Sequence, residues 1–306
     1  MKSKWLRQVA YPLIAAFIWG TAFVFQSEAA SHMGPFTFNT ARCIMATLFL
    51  AIVLLVRDVW QKRKKASDGR RVPPPKRNVK ALLWGGLACG VVLACASNLQ
   101  QLGLGATSPG KAAFITALYV VLVPVFALLF GKRARVLVWV GVALAMAGLY
   151  FLCITGKMTI EKSDFFVFLC AVCFAVHIMI IDRVTPKVNG VELSCVQFAV
   201  VALISAVGML LTETPTWEAI FTCLWPLFYV GVFSGGVAYT LQILSQKGGN
   251  PTLVSLLLCL ESVFAVLAAG VLTGEWLTSR EWLGCALMLM AVVLAQLPEG
   301  MFKKKI

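Results

Sequence analysis

Few residues in this chain are equipped for chemistry, and several of those lie in apolar surroundings. Glu261 sits in the run Leu-Cys-Leu-Glu-Ser-Val-Phe over 258–264, with no basic residue one helical turn away. Arg42 interrupts a second apolar run, and Glu28 lies near the end of a third. A charge at the centre of a bilayer costs about 2.5–3.5 kcal/mol even on the lenient insertion scale, so such groups need a reason. For Glu261 three readings stand: a proton-coupling site, a partner for a substrate amine, or a structural acid bonded to another helix. Arg42 and Glu28 are expected to pair across adjacent helices, as packing or as an outer gate. The alternative for Arg42 is recognition of a substrate carboxylate by its planar fork.

Amides form the next group. Asn98, Gln100 and Gln101 end one apolar run, and Gln242 and Gln246 follow Tyr239 in another. Amides in lipid must face the protein interior or a wet cavity. In Trp19-Gly20-Thr21 an aromatic and a hydroxyl flank a glycine, which is expected to let a ligand near the backbone. Lys111 falls in the first turn of a helix, where a cation is unfavourable; snorkelling to the interface is the simpler reading, an anionic ligand the alternative. The candidate substrate-binding residues are therefore Trp19, Thr21, Arg42, Asn98, Gln101, Tyr239, Gln242 and Glu261.

Catalysis has little to stand on. The two histidines, His32 and His177, have no second ligand near them in sequence, and His177 reads as a helix-packing residue. GxSxG, HExxH and P-loop patterns are absent. Cys170 and Cys173 form a CxxC, but within an apolar helix, where cysteine behaves as a small hydrophobe. No catalytic residue, metal ligand or cofactor is assigned, and the chain is read as a non-enzyme. An intramembrane enzyme and a non-transporting scaffold or receptor remain the rival readings; the scaffold would call for a sizeable extramembrane domain, and the longest loop is about 20 residues.

The elements that position these residues follow from composition. Of the 306 residues 60% are hydrophobic and 13% charged, and the mean hydropathy is +0.86. Soluble domains are about 45–50% apolar and roughly 25% charged. This chain cannot cover a water-facing surface, so it is an all-α integral membrane protein whose partners are the lipid bilayer and a small-molecule substrate, not nucleic acid. Spans of ~20 apolar residues fall at 9–27, 36–56, 79–98, 109–130, 135–155, 164–184, 193–212, 220–245, 251–273 and 279–297. Lys2, Lys4 and Arg7 precede the first, but its apolar run is too long for a signal peptide.

Charge sets the orientation. With the N-terminus in the cytoplasm, 22 of the 27 Lys and Arg fall in cytoplasmic segments, ten of them between 57 and 80. The other five, Arg42, Lys111, Lys157, Lys162 and Arg280, lie opposite or within spans. Both termini are expected in the cytoplasm. The net +14 is thus mostly topological, and the loop 57–80 with Pro73, Pro74 and Pro75 reads as orienting rather than as a lipid or nucleic-acid patch.

The second five spans echo the first. Ser108-Pro109 and Asn250-Pro251 each place a capping oxygen before a proline at the first helical position, 142 residues apart. Leu129, Gly131, Trp139 and Gly141 recur as Leu272, Gly274, Trp282 and Gly284 at an offset of 143. Gly86 and Gly90 recur as Gly231 and Gly235, small-residue pairs that let membrane helices approach closely. Five is odd, so the second set enters the membrane from the other side. Two inverted five-helix repeats, 9–155 and 164–297, are a transporter architecture with a central cavity, expected between spans one, two, three, four, eight and nine.

In these features the chain resembles the EamA family of the drug/metabolite transporter superfamily. The resemblance rests on Trp19-Gly20-Thr21, Arg42, the segment Gly110 to Tyr119, Leu260-Glu261-Ser262-Val263-Phe264 and Leu272-Thr273-Gly274-Glu275. One departure is Gly131-Lys132 where the second half has Gly274-Glu275. The resemblance implies a secondary transporter of small metabolites, amino acids or similar polar solutes, working outward by alternating access. It places the chain in a bacterial plasma membrane and leaves proton coupling open.

Overall fold

A computed structural model describes residues 6–67, 78–104, 109–131, 134–154, 161–273 and 277–297. Among the described residues, ten helical spans are long and apolar enough to cross a membrane: α1 (Arg7–Ala30), α2 (Pro35–Lys64), α3 (Val79–Leu104), α4 (Ala112–Leu129), α5 (Val136–Cys153), α6 (Lys162–Val184), α7 (Gly190–Thr212), α8 (Leu224–Gln246), α9 (Pro251–Ala268) and α10 (Ser279–Gln296). Leu210 and Leu211 are 75% and 79% exposed, and Trp84 and Leu55 are similarly bare. An apolar surface of that extent belongs in hydrocarbon. The protein is a multi-pass membrane protein.

The ends of the spans follow local sequence. Asn250 caps α9 by accepting from the Thr252 N–H at 2.9 Å, with Pro251 in the first turn. The equivalent Ser108 lies outside the described residues, as do Pro73–Pro75, Lys132 and the Gly274-Glu275 pair. Helix α2 departs from expectation. It runs on to Ser67, well past the expected end at 56. Loss of hydropathy at Arg57 marks the edge of the apolar span, not of the helix, because Arg57 and the Gln-Lys-Arg-Lys run beyond Trp60 are good helix formers in water.

Helix packing obeys the repeat. Helix α6 packs on α3 and α4 of the other half, and α1 packs on α8 and α9. Helices α2 and α7 form one pair across the repeat axis, α5 and α10 another. Glycines Gly141, Gly148 and Gly284 bring α5 and α10 together, and the glycine pairs serve two further seams, α3–α7 and α8–α2: a Cβ at Gly86 or Gly90 would strike Val196 or Val200 of α7, and one at Gly231 or Gly235 would strike Met45 or Ala46 of α2. Each repeat's GxxxG therefore buries itself in the other repeat. The α2–α7 pair is also tied at both ends. Glu213 accepts from the N–H groups of Phe36 (2.9 Å) and Thr37 (2.8 Å) and from the Thr37 hydroxyl, holding the start of α2. At the other end, Arg57 bridges to Glu192 at 2.9 Å.

Besides the π-helical turn Leu6–Ala10 that opens α1, three irregularities interrupt the spans among the described residues. The fourth breaks at Ala117–Leu118, between helical stretches Pro109–Thr116 and Tyr119–Leu129. The ninth breaks at Cys259–Leu260, between Pro251–Leu258 and Glu261–Thr273. At both, the bonding tightens to three residues back, as in Leu118 N–H to Ile115 and Leu260 N–H to Leu257. The breaks stand 142 residues apart, so each repeat breaks the same helix. The third is a π-helical stretch in α8, Tyr229–Ala238; its counterpart in α3 is regular.

Candidate functional site

The helix breaks put Tyr119 and Glu261 at the first positions of their second segments. These two residues are repeat equivalents, and they meet: the Tyr119 hydroxyl donates to Glu261 Oε1 at 3.5 Å. Beside that contact lies a narrow central cavity of about 50 Å³. From α1 it takes Trp19, Phe23 and Gln26, from α2 Arg42, and from α3 Gln100. Thr116 and Tyr119 come from α4, Phe174 and Ile178 from α6, Ser234, Tyr239 and Gln242 from α8, and Leu258 and Glu261 from α9. The wall therefore includes α6, which the sequence reading left out. Setting Trp19 against Phe174 and Phe23 against Ile178 places α1 and α6 in register at an offset of 155, so the two helices face the cavity alike.

Five of the eight candidate residues line the cavity: Trp19, Arg42, Tyr239, Gln242 and Glu261. Trp19 packs against Tyr239 with ring centres 4.7 Å apart and planes tilted by 58°, and its indole N–H donates to the Ser234 carbonyl at 3.3 Å. That acceptor lies in the π-helical stretch, where it also accepts from the Tyr239 N–H five residues on. Arg42 is 8% exposed and lies over the Phe38 ring. Its Nε donates to Asn39 Oδ1 at 2.7 Å. The expected Arg42–Glu28 pair does not form: Glu28 is exposed at the end of α1, and the bonded partner of Arg42 is on its own helix. Arg42 and Glu261, on walls of one cavity, form no ion pair with each other or with any other described residue.

The other three stand behind the wall. Thr21 shares a 2.5 Å hydrogen bond with the Tyr229 hydroxyl, locking α1 to the π-helical start of α8. Asn98 accepts from Asn39 Nδ2 at 2.9 Å and donates to Ser205 Oγ at 3.0 Å. Arg42, Asn39, Asn98 and Ser205 thus form a buried chain from the cavity through α2 and α3 to α7. Gln101 is buried outside the lining; its neighbour Gln100, a helical step of about 100° away, lines the cavity instead.

Gly20 also needs correction as a point of ligand access. A Cβ there would lie 2.6 Å from the Glu261 carbonyl oxygen and 2.8 Å from Ala265 N. The gap admits the backbone of α9, so Gly20 sets the position of Glu261. His177 is fully buried and meets Gln197 of α7 at 3.1 Å. Lys111 lies in the described helix, but its side chain is outside the described set.

A model of the EamA-like transporter family matches residues 7–154 and again 161–297. The chain belongs to the EamA-like transporter family. An uncharacterized transporter of Archaeoglobus fulgidus is 29% identical over 93% of this chain and 84% of its own length. The Escherichia coli inner membrane transporter YedA is 24% identical, over 94% and 90%. A chloroplastic WAT1-related protein of Arabidopsis thaliana matches at 24%, over 93% and 68%. A solved crystal structure shares the fold, with a TM-score of 0.78 at 18% identity over 94% of this chain and 96% of that one. This EamA member is thus a membrane transporter built from two repeats.

Proposed function

We propose that this EamA transporter carries small zwitterionic metabolites, amino acids or close relatives, with the Arg42 fork on the carboxylate and Glu261 on the amine. One observation carries the reading: a buried arginine and a buried glutamate face the same cavity without neutralising each other. Unpaired buried charges are costly, and a ligand with both signs would satisfy both. Trp19 and Tyr239 give the ligand's carbon skeleton an apolar wall, and Gln242, whose Oε1 has no bonded partner, supplies a further acceptor.

Transport would proceed by alternating access. Equivalent breaks in the fourth and ninth spans give each repeat a flexible point at the cavity, whereas the strapped α2–α7 pair and the glycine-packed α5–α10 pair serve as frame. The 22 of 27 Lys and Arg that fall in the two termini and the loops on their side of the membrane support cytoplasmic termini, and the proposed setting is a plasma membrane with outward transport. The test is flux of labelled solutes into proteoliposomes. Amino acids should be moved and their uptake abolished by Arg42→Gln or Glu261→Gln; amino-acid uptake no faster than through empty vesicles would defeat the proposal.

A further inference from the structure

A second concavity opens on the outer side of the bundle, away from the central cavity. It lies between the last turns of α4 and α6, walled by Phe126, Leu129 and Phe130 on one side and by Val176, Ile180 and Arg183 on the other. The three α6 residues fall at i, i+4 and i+7, so the groove runs along one helical face for about 10 Å. It starts near the middle of the span and ends where the helix ends. Its volume is about 260 Å³. Phe130 and Leu129 are 51% and 76% exposed, so the groove faces the hydrocarbon that surrounds the protein.

One end is charged. Arg183 is exposed in the last turn of α6, its guanidinium 4.0 Å from the centre of the Phe130 ring. It forms no ion pair with any described residue. The matching seam in the other repeat lies between α9 and α1. At the offset of 155 that aligns α1 with α6, Arg183 corresponds to Glu28, an exposed acid at the opposite face of the membrane. The corresponding positions of the two seams therefore differ in the sign of their charge.

We infer that the α4–α6 groove is a binding site for one anionic phospholipid, with an acyl chain along Val176 and Ile180 and the phosphate on Arg183. Basic pockets between spans on the cytoplasmic side are suited to acidic headgroups, whose leaflet carries negative surface potential. The choice of leaflet rests on the orientation proposed above; the charge preference does not. Lipid retention is measured without substrate, so its outcome is independent of the transport reading.

Native mass spectrometry of protein released from mixed micelles would count phosphatidylglycerol against phosphatidylcholine of the same chain length. The wild type should retain phosphatidylglycerol preferentially. Arg183→Gln should weaken that retention about fivefold and leave phosphatidylcholine unchanged. Val176→Trp fills the groove and should reduce retention of both lipids. If that variant does not fold, Leu129→Trp blocks the groove from the other wall. Glycerol phosphate, lacking acyl chains, should not compete. Equal retention of the two lipids by wild type, an unchanged preference in Arg183→Gln, or displacement by glycerol phosphate would overturn the assignment.

Discussion

Gly20→Ala is a one-methyl test of how the cavity is built. The added carbon would stand 2.6 Å from both the Glu261 carbonyl oxygen and Phe264 Cβ, and 2.8 Å from Ala265 N. Two of these are backbone atoms and the third is fixed to the backbone, so no side chain can rotate away. Normal contact is about 3.5 Å or more, so α9 must retreat from α1 by about 1 Å. Overpacking of this kind costs about 1–3 kcal/mol, and Glu261 moves with the displaced backbone. A loss of that size in the bound state corresponds to about a five- to 150-fold rise in substrate Kd. Calorimetric titration with the transported solute would measure it, alongside melting in detergent. Gly208→Ala is the control: its nearest neighbours would be atoms of the Phe36 side chain rather than backbone, far from the cavity, and Kd should stay near wild type. Wild-type Kd and melting in Gly20→Ala would refute the claim that this contact positions Glu261.

Three further outcomes are expected. Glu213→Ala removes the cap on the start of α2, three hydrogen bonds in all, and should cost about 1–2 kcal/mol, read as a lowered melting temperature with substrate Kd little changed. Asn39→Ala leaves the cavity wall intact but frees the Arg42 guanidinium; affinity should fall about tenfold for solutes with a carboxylate and not for amines lacking one. In a background cleared of the 10 native cysteines, Ser31→Cys and Lys247→Cys should label from opposite faces of the membrane, the second from the cytoplasm, and labelling of both from one face would remove the inverted arrangement.

Much of the fold was legible because membrane helices announce themselves by length and hydropathy. The glycine pairs at 86/90 and 231/235 marked close helix contacts, though not that each pair packs into the opposite repeat. The helix breaks at Ala117–Leu118 and Cys259–Leu260 left no signal, since neither contains glycine or proline; tertiary packing imposes them. Tyr119 could have been found by carrying the 142-residue offset from Pro109 and Pro251 through to Glu261. Phe174, followed by a small residue as Trp19 is, was the trace of α6 in the wall. Asn98 and Gln101 were misplaced because amide chemistry says that a residue is inward, while a rotation of one residue decides whether it meets the cavity or a neighbouring helix. The absence of an Arg42–Glu28 bond has the same root: depth in the membrane was readable, direction around the helix was not.

The central claim is that Arg42 and Glu261 each bind one end of a single ligand. Its most direct measurement is the affinity for three matched compounds: a transported amino acid, its N-acetyl derivative and its primary amide. The amino acid should bind tightest, each derivative losing about 10- to 150-fold, the weight of one hydrogen-bonded charge. Glu261→Gln should erase the difference between the amino acid and its N-acetyl form, and Arg42→Gln the difference between the amino acid and its amide. Equal affinity for all three compounds, or the same ranking in both variants, would contradict the account.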